Sequence, residues 1–433
     1  MGGLIRVWGY TLGCRLNAYE TEALVDGFCR RCGALRAAGP EDADIVILNT
    51  CAVTGRSTAR SRKSARQLVA EVAPRGGMVV VTGCVAQVAP EDFSGMDVLV
   101  VPNAGKAALV EETAARLGIA CAPEGDPGEG APGLFPLEAP ASVPRSRAFL
   151  KVQDGCDNRC TYCIVPAARG PSRSQPRELV LAHARRLSGA GFREISLTGV
   201  DLIRYGVDLY GGSYDLPALV GDLLRLGGFR VRLSSVEPIG LTGDVLSRLA
   251  LPGVCRHLHL PIQSGSDAVL SRMGRRYGRR DMLELLDRCA ALFPGLALGA
   301  DIIAGFPGET EEEFRETLEL VAHPAVSYLH VFPFSPRPGT PAAGWRDLFL
   351  HTETVTHRAG VLRSLSRGAR RRFREGAVGT EALAIVEGRT DETTGRHICM
   401  TDNYIPLLAP RGASEGELVR LSIAREDVCW ETR

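Results

Sequence analysis

The sequence predicts an α/β protein made of three consecutive parts. In residues 1–120, apolar runs alternate with helical patterns, which indicates a parallel sheet. In residues 148–374, six strand-and-helix units follow one another, as in a full or partial (βα)6 barrel. In residues 375–433, short strands separated by turns predict a small β-barrel. Residues 121–147 are rich in proline and glycine, and we expect them to form a linker.

Composition and charge narrow the function classes. With 433 residues and a hydrophobic fraction of 45%, the chain can bury several cores. The net charge of +1 gives no overall field that attracts an acidic partner, so any nucleic-acid contact must come from local basic patches. The 13 cysteines are too sparse for a disulfide scaffold, and we find neither a secretory leader nor an apolar run of membrane length. We therefore expect a cytoplasmic protein without membrane contact, whose thiols bind metals rather than one another.

The first part is expected to bring three cysteines to one edge of its sheet. Its strands are expected at Leu4–Gly9, Ile45–Leu48, Met78–Val81 and Asp97–Val101, and its helices near Tyr19–Arg31, Gly55–Glu71 and Lys106–Leu117. Cys14, Cys51 and Cys84 each follow one of the first three strands closely. Ligands of open α/β sheets bind outside the carboxyl ends of the strands. A single cysteine here would be interpreted as an inert buried side chain, but three at equivalent positions predict a metal site. The pair Cys29 and Cys32 is interpreted as structural or incidental.

A second group of cysteines, Cys156, Cys160 and Cys163, has the spacing C-x3-C-x2-C. Thiolates hold iron–sulfur clusters. Three of them on a 4Fe–4S cluster leave one iron open for a small chelating molecule. The alternative is a zinc loop, but zinc sites usually have four ligands at short paired spacings, and no second pair follows.

The second part is expected to carry a cofactor at the carboxyl ends of its strands, where the sites of βα barrels collect. The strands are expected at Phe149–Val152, Glu194–Leu197, Val231–Ser234, His257–Pro261, Leu298–Ile303 and Tyr328–Phe332. Polar and glycine-rich turns end four of them, at residues 198–199, 234–238, 263–266 and 305–310. Each turn is weak evidence alone; in the last one, for example, Thr310 with Glu313 also predicts a plain helix capping box. Together, the four turns offer polar groups and room for the close approach of a cofactor.

Six arginines fall among residues 363–374, including Arg370, Arg371 and Arg372. The plain interpretation is a solvated helix face. A β-rich segment follows, with strands expected at Glu381–Val386, His397–Thr401, Tyr404–Leu408 and Glu417–Ile423. Small barrels of this kind recur as RNA-binding modules, so we expect an electrostatic contact with an RNA backbone. Arg169 and Arg173 are expected either to face phosphates as well or to be structural ion-pair partners.

These motifs identify the chain as similar to a known family. The C-x3-C-x2-C loop, with the aromatic Tyr162 before its last cysteine, resembles the radical S-adenosylmethionine (radical SAM) superfamily. Five further motifs resemble the methylthiotransferases within it, over nearly the whole chain: residues 12–14 (Leu-Gly-Cys), 49–51 (Asn-Thr-Cys), 83–84 (Gly-Cys), 259–266 (His-Leu-Pro-Ile-Gln-Ser-Gly-Ser) and 301–310 (Asp-Ile-Ile-Ala-Gly-Phe-Pro-Gly-Glu-Thr). The last segment resembles the TRAM domain that these enzymes and some RNA methyltransferases carry.

The resemblance implies cofactors, ligands and partners. One 4Fe–4S cluster is expected on Cys156, Cys160 and Cys163, with SAM at its open iron, and an auxiliary 4Fe–4S cluster on Cys14, Cys51 and Cys84. SAM is expected to contact Tyr162, Thr198, Gly199, Ser234, Glu237 and Gln263. The implied reaction splits SAM into methionine and a 5′-deoxyadenosyl radical, which takes a hydrogen from the substrate carbon before sulfur and a methyl group are added. An electron donor such as flavodoxin or ferredoxin and a sulfur donor are the further partners expected.

Three subfamilies share this architecture, and the first loop discriminates best between them. They modify N6-threonylcarbamoyladenosine beside the tRNA anticodon, N6-isopentenyladenosine at the same position, or an aspartate of a ribosomal protein. Residues 11–22 (Thr-Leu-Gly-Cys-Arg-Leu-Asn-Ala-Tyr-Glu-Thr-Glu) are similar to the first group, although Asp201 stands where that group commonly has asparagine. We therefore expect a tRNA methylthiotransferase of the first group. The other two substrates, and a non-catalytic iron–sulfur electron carrier or RNA-binding sensor, are the alternatives.

Overall fold

The computed structural model of the protein describes residues 4–122 and 146–430. The first part is a five-stranded parallel sheet in the order β2-β1-β3-β4-β5. Its strands are β1 (Arg6–Thr11), β2 (Leu35–Arg36), β3 (Ile45–Thr50), β4 (Met78–Gly83) and β5 (Val98–Val100), and its helices are α1 (Arg15–Cys32), α2 (Gly55–Val72), α3 (Cys84–Val88) and α4 (Leu109–Leu117). The predicted parallel α/β unit is confirmed. The expected linker, residues 121–147, lies almost entirely outside the described residues.

Helices cover both faces of this sheet, so its central strands are apolar on both sides. Every residue of β3 is buried. Val46 and Leu48 belong to the apolar core on one face, and Ile45 and Ile47 belong to the core on the other. This alternation is the two-residue period of a strand. Two details were not predicted: β1 continues to Thr11, where it still pairs with β3 in register, and the edge strand β2 is only two residues long.

The second part is a curved parallel sheet of six main strands, formed by the three-stranded sheets β6-β9-β10 and β11-β12-β13. Its strands, with the short antiparallel pair β7 and β8, are β6 (Ala148–Lys151), β7 (Gln153–Asp154), β8 (Arg173–Ser174), β9 (Glu194–Thr198), β10 (Arg230–Leu233), β11 (His257–Gln263), β12 (Ala297–Ala304) and β13 (Val326–Pro333). A parallel bridge between Ser235 and His259 joins the two sheets. All six predicted strands are present, in the order of a partial barrel.

Helices follow these strands and bury their apolar sides against the sheet. They are α5 (Val165–Arg169), α6 (Arg177–Gly189), α7 (Val207–Tyr210), α8 (Leu216–Leu226), α9 (Gly243–Leu249), α10 (Asp267–Arg272), α11 (Arg279–Leu292), α12 (Glu311–Val321) and α13 (Thr352–Ala377). The longest, α13, contains the arginine-rich residues and lies along β13. Ser366 fastens the two elements, because its hydroxyl accepts from the N–H of Leu329 at 2.8 Å and donates to the carbonyl of the same residue at 3.1 Å.

The chain ends in a four-stranded antiparallel sheet in the order β16-β15-β14-β17. Its strands are β14 (Glu381–Thr390), β15 (His397–Thr401), β16 (Pro406–Leu408) and β17 (Leu418–Ser422), so the predicted β-rich segment is confirmed. The carboxylate of Glu194 on β9 binds Arg230 and Arg232, whose guanidinium groups donate to the carbonyls of Met400 and Thr401 at 3.0 Å. Burial alone would raise the pKa of Glu194, but the charges of Arg232 and Arg230 outweigh burial and lower the pKa. No helix of the described residues combines the length and the apolarity needed to cross a membrane.

Candidate metal and cofactor site

The first three predicted site cysteines lie at the carboxyl ends of neighbouring strands. Cys14 occupies the N-cap position of α1, Cys51 directly follows β3, and Cys84 is the first residue of α3, directly after β4. Strands β1, β3 and β4 are adjacent in the sheet, so the three thiols collect at one edge. Burial, with smaller effects from the thiols of Cys84 and Cys14, raises the pKa of Cys51 to about 11. We call these residues the first triad.

Side-chain hydrogen bonds tie the loops of the first triad together. Asn17 Nδ2 donates to the carbonyls of Leu12 at 2.7 Å and Thr50 at 2.9 Å, which lie just before the first two cysteines. The Thr50 hydroxyl accepts from the N–H of Val85, beside the third cysteine, at 3.1 Å. Gly83 has a φ of 95°, and a Cβ there would lie 2.5 Å from the nitrogen of Thr50. Glycine is therefore required for this close approach.

The second triad, Cys156, Cys160 and Cys163, lies in the loop between β7 and α5. The N–H of Cys156 donates to the carbonyl of Gly170 at 3.1 Å, and that of Thr161 donates to the carbonyl of Met273 at 3.0 Å. Gly155 has a φ of 68°, and a Cβ there would lie 2.6 Å from the oxygen of Gly170. The loop is thus held at both ends, and its three cysteines remain half-buried.

In neither triad do all three sulfur atoms lie within 4.8 Å of one another. Tetrahedral zinc holds its sulfur ligands about 3.8 Å apart, given Zn–S bonds of about 2.3 Å. Within residues 4–122 and 146–430, three His, Cys, Asp or Glu ligand atoms come within 4.8 Å of one another at one place, which contains no cysteine. Three thiolates are the ligand set that leaves one iron of a cubic cluster open.

Binding of a metal cluster at either triad would require the loss of thiol protons. Burial raises the pKa of Cys156 to about 11 and that of Cys163 to about 12. Metals bind the thiolate, so a cluster held by Cys156 and Cys163 would displace their protons on assembly.

The residues predicted to contact SAM lie at the carboxyl ends of the central strands. Thr198 ends β9 and precedes Gly199, Ser234 and Glu237 follow β10, and Gln263 ends β11. Three buried oxygens at this edge have no hydrogen-bond partner in the described structure: Ser234 Oγ, Asp201 Oδ1 and Ser266 Oγ. Buried polar atoms without partners are rare. This edge is therefore suited to a polar ligand.

Gln263 and Tyr162 differ in how they are held. Gln263 has a φ of 73°, a left-handed conformation that is uncommon for a residue other than glycine, and it lies at a register shift between β11 and β12. Backbone strain of this kind persists where the surroundings impose it, often at ligand sites. Tyr162 packs edge-on against Phe306, with ring centroids 6.1 Å apart, and burial raises the pKa of its hydroxyl well above the usual value.

Arg275 was not predicted from the sequence, yet it lies directly beside the second triad. Its Nη1 is 2.9 Å from Glu237 Oε1 and 3.6 Å from Cys160 Sγ, and its Nη2 donates to the carbonyl of Pro261 at 2.7 Å. The side chain is only 5% exposed. Arg275 and Arg276 are adjacent arginines after a glycine, and no sequence pattern distinguishes the buried one.

Gln153 was also missed. Its Oε1 accepts from the N–H groups of Val200 and Asp201, each at 2.8 Å, and its Nε2 donates to the carbonyl of Gly155 at 2.8 Å. One amide therefore joins the loop after β9 to the start of the loop that carries the second triad. Asp201 Oδ2 in turn accepts from Asn158 Nδ2 at 3.1 Å, so the residue that departs from the family pattern lies beside this triad.

Five buried charged side chains connect the loops of the two triads, and we call them the buried ion network. They are Glu20 on α1, Lys106, Lys151 on β6, Asp154 on β7 and Arg169 at the end of α5. Arg169 Nη1 lies 2.9 Å from Glu20 Oε1 and 3.0 Å from Asp154 Oδ1. Lys151 Nζ lies 2.6 Å from Glu20 Oε1 and 2.7 Å from Asp154 Oδ2, and Lys106 Nζ lies 2.7 Å from Glu20 Oε2.

The hypothesis that Arg169 faces RNA phosphates is wrong. The residue is 6% exposed and its guanidinium is occupied by Glu20, Asp154 and Asn17. The alternative, a structural ion pair, is confirmed. Its partner Glu20 is 149 residues away, so the pairing is visible only in the folded chain. Arg173 is half-buried and donates to the carbonyl of Arg169 at 3.1 Å; its contact with RNA stays a prediction.

The barrel interior contains a hydrogen-bonded chain that sequence analysis did not single out. Tyr328 Oη lies 2.8 Å from His257 Nε2 and 3.1 Å from His259 Nδ1. Asp301 Oδ1 lies 2.7 Å from His259 Nε2 and 3.5 Å from His330 Nδ1. Burial alone would raise the pKa of Asp301, but hydrogen bonds from the two histidines outweigh it and lower the pKa to about 2. The chain ends at the exposed His330, in the wall of a cavity of about 310 Å³.

The predicted arginine stripe forms one wall of a cleft of about 1080 Å³. Arg363, Arg367, Arg370 and Arg371 line this arginine cleft together with His330, Phe332, Arg425 and Trp430. Their spacing of four, three and one residues places the four arginines on one helix face. Arg372 is exposed on α13 but does not line the cleft, and Arg374 is buried and donates to the carbonyls of Cys429 and Trp430.

Comparisons with known proteins agree with this architecture. The radical SAM superfamily matches residues 150–321, and the family described as uncharacterized protein family UPF0004 matches residues 6–101. Two solved radical SAM structures share the fold at 15% identity. TsrM from Kitasatospora setae has a TM-score of 0.56 over 78% of this chain and 77% of its own. The cobalamin-dependent enzyme OxsB has a TM-score of 0.55 over 91% of this chain and 64% of its own.

Curated relatives match this chain at higher sequence identity than the solved structures do. The threonylcarbamoyladenosine tRNA methylthiotransferase MtaB of Bacillus subtilis is 38% identical, over 78% of this chain and 75% of its own. The protein of the same name in Thermotoga maritima is 33% identical, over 87% and 85%. The tRNA-2-methylthio-N(6)-dimethylallyladenosine synthase of Symbiobacterium thermophilum is 34% identical, over 88% and 84%. With this identity over most of both chains, and with two cysteine triads on the matching folds, the protein belongs to the radical SAM methylthiotransferase family.

Proposed function

We propose that this protein is a tRNA methylthiotransferase that adds a methylthio group to C2 of N6-threonylcarbamoyladenosine beside the anticodon. The observation that carries the proposal is the presence of two three-thiol sites, one at the edge of the α/β sheet and one at the mouth of the partial barrel, whose loops share one buried ion network. The first loop, residues 11–22, and the 38% identity to the MtaB protein of Bacillus subtilis support this substrate, and the 34% identity to a dimethylallyladenosine synthase makes that substrate the second candidate.

The proposed ligands are Cys156, Cys160 and Cys163 for the SAM-binding 4Fe–4S cluster and Cys14, Cys51 and Cys84 for the auxiliary 4Fe–4S cluster. When bound, these groups and SAM supply the electron, the hydrogen-abstracting radical, the sulfur and the methyl group of the reaction. The chain holds and orients them. Arg275 places a fixed positive charge 3.6 Å from Cys160 Sγ, where it stabilises the thiolate over the thiol.

The SAM pocket is proposed at the strand ends that carry unpartnered oxygens. Ser234 Oγ and Asp201 Oδ1 are free to bond hydroxyl and amino groups. Glu237 is already bonded to Arg275, and burial raises its pKa. Gln263 and Thr198 lie on the neighbouring strand ends, where backbone groups are also accessible. Glycine is required at position 199 for the close approach of Gln153, because a Cβ there would lie 2.8 Å from Gln153 Oε1. Tyr162 lies in the loop of the second triad.

The arginine cleft is proposed as the contact with tRNA. Its four arginines on one face of α13 lie beside the final antiparallel sheet and lead to His330, which is 53% exposed. Guanidinium groups neutralise phosphates and release counterions, so binding should weaken as salt rises. Of the predicted contacts, Arg370 and Arg371 line the cleft and Arg372 is exposed on α13 outside it. Arg370 also lies 5.5 Å from the ring centroid of Tyr328. A one-electron donor such as flavodoxin or ferredoxin, a sulfur donor and a cytoplasmic location complete the proposal.

Analysis of tRNA nucleosides tests the substrate. A strain that lacks this gene and any second enzyme for the same nucleoside should lose 2-methylthio-N6-threonylcarbamoyladenosine, and the wild-type gene should restore it. Loss of the isopentenyl nucleoside instead, or a mass change on a ribosomal protein alone, would assign the protein to a sister subfamily. Reduced protein that binds clusters but forms no 5′-deoxyadenosine from SAM would favour the electron-carrier alternative. Anaerobic reconstitution should yield about eight irons per chain, since each cubic cluster holds four.

A further inference from the structure

The buried ion network has an excess of positive charge. Lys106, Lys151 and Arg169 are cations, and only Glu20 and Asp154 are anions within it; each of these side chains is at most 8% exposed. Water cannot screen such groups, and an unbalanced buried charge is costly unless another charge compensates it. The network is therefore a fixed source of positive potential inside the protein.

The positive charges of the buried ion network lie close to the cysteines of the first triad. Arg169 Nη2 donates to Asn17 Oδ1 at 2.6 Å, and the same oxygen lies 3.9 Å from Cys14 Sγ. The short helix that ends at Arg169 packs in one apolar core with Cys84. Arg169 therefore lies close to two of the three thiols, one hydrogen-bonded residue away from Cys14 and within the same packed core as Cys84.

A second set of contacts fixes Lys106 in this position. Its ammonium group lies 2.7 Å from Glu20 Oε2 and 2.7 Å from Asn103 Oδ1, and Asn103 Nδ2 donates to the carbonyl of Ala168 at 2.8 Å. Lys106 is therefore held between the first part of the chain and the helix that follows the second triad. Burial lowers its pKa, while Glu20 opposes this and favours the charged form.

We propose that the excess positive charge of the buried ion network raises the reduction potential of an iron–sulfur cluster on Cys14, Cys51 and Cys84. This inference rests on the ligand role proposed for these cysteines. Thiolate ligation leaves such a cluster anionic, and uptake of one electron from a low-potential donor adds a negative charge without breaking a bond. Net charge and burial are among the factors that set cluster potentials, and a buried charge acts through a weakly screening medium. The network therefore stabilises the reduced state more than the oxidised state.

The test isolates the first-triad cluster by replacing Cys156, Cys160 and Cys163 with alanine. In this parent, Lys106→Met removes one buried cation, Lys106→Arg retains it, and Lys63→Met removes an exposed cation as a matched control. After anaerobic reconstitution, iron is counted and the midpoint potential is measured by titration followed by electron paramagnetic resonance. We expect Lys106→Met to lower the ratio of reduced to oxidised cluster about tenfold at a fixed potential, which is about 59 mV for one electron. Lys106→Arg and Lys63→Met should stay close to the parent.

The outcomes separate this inference from the ligand assignment. A parent protein that binds no iron overturns the assignment of the first triad and the inference with it. A parent that binds about four irons but shows the same potential in Lys106→Met, or equal shifts in Lys106→Met and Lys106→Arg, overturns the inference alone. If Lys106→Met fails to fold or to bind iron, Lys151→Met removes the same charge from the other side of the network, and an unchanged potential there has the same meaning.

Discussion

Replacing Arg169 with methionine tests whether the buried ion network joins the first two parts of the chain. The guanidinium bonds Glu20, Asp154 and Asn17 at 2.6 to 3.0 Å. Removing one partner of a buried ion pair typically costs about 3 to 5 kcal/mol. Lys106 and Lys151 still neutralise the two carboxylates after the change, so we expect the lower end, about 3 kcal/mol.

Urea unfolding of cluster-free protein measures this loss as a shift of the transition that includes both parts. Arg159→Met is the matched control, because Arg159 is exposed in the loop that precedes α5 and should change the free energy of unfolding by no more than about 0.5 kcal/mol. Arg169→Lys should recover only part of the loss, since a single ammonium cannot reproduce the forked geometry. Equal stability of Arg169→Met and Arg159→Met would refute the reasoning.

Three further predictions concern the triads and the barrel interior. Cys160→Ala should abolish formation of 5′-deoxyadenosine, whereas Cys51→Ala should retain it and lose sulfur insertion; normal sulfur transfer by Cys51→Ala, measured on tRNA nucleosides, would remove the first triad from the mechanism. Gly155→Ala should prevent iron binding at the second triad, because its Cβ would lie 2.6 Å from the carbonyl oxygen of Gly170 and its φ is 68°; an iron content equal to wild type would contradict this. The pKa of Asp301 is about 2, below its ordinary value of 3.8, so its contribution to stability is present above about pH 4 and is lost as pH falls towards 2, a change of about 2 kcal/mol. Asp301→Asn should lack that part of the acid dependence in urea unfolding at a series of pH values, and identical curves for the two proteins would count against the assigned hydrogen bonds.

Local patterns in the sequence were sufficient to locate the two triads. A parallel sheet places the carboxyl ends of adjacent strands at one edge, so cysteines that follow three strands meet there even though more than thirty residues separate them. The six barrel strands were predicted for a similar reason, because strands buried on both faces appear as short apolar runs. The side chains around these thiols were not predictable in this way. Arg275 and Gln153 act through contacts with distant loops, and nothing in their immediate neighbours marks them.

The sequence by itself determined the fold class, the positions of six thiols and the family, because strand periodicity, cysteine spacing and local motifs depend on neighbours in the chain. Only the tertiary structure decided which charges are buried. Arg169 had two open interpretations until Glu20 and Asp154 were brought to it from either side, and the charge balance of the resulting network depends on five residues spread over 150 positions. Burial and long-range pairing are properties of the folded chain, since they follow from which surfaces exclude water together.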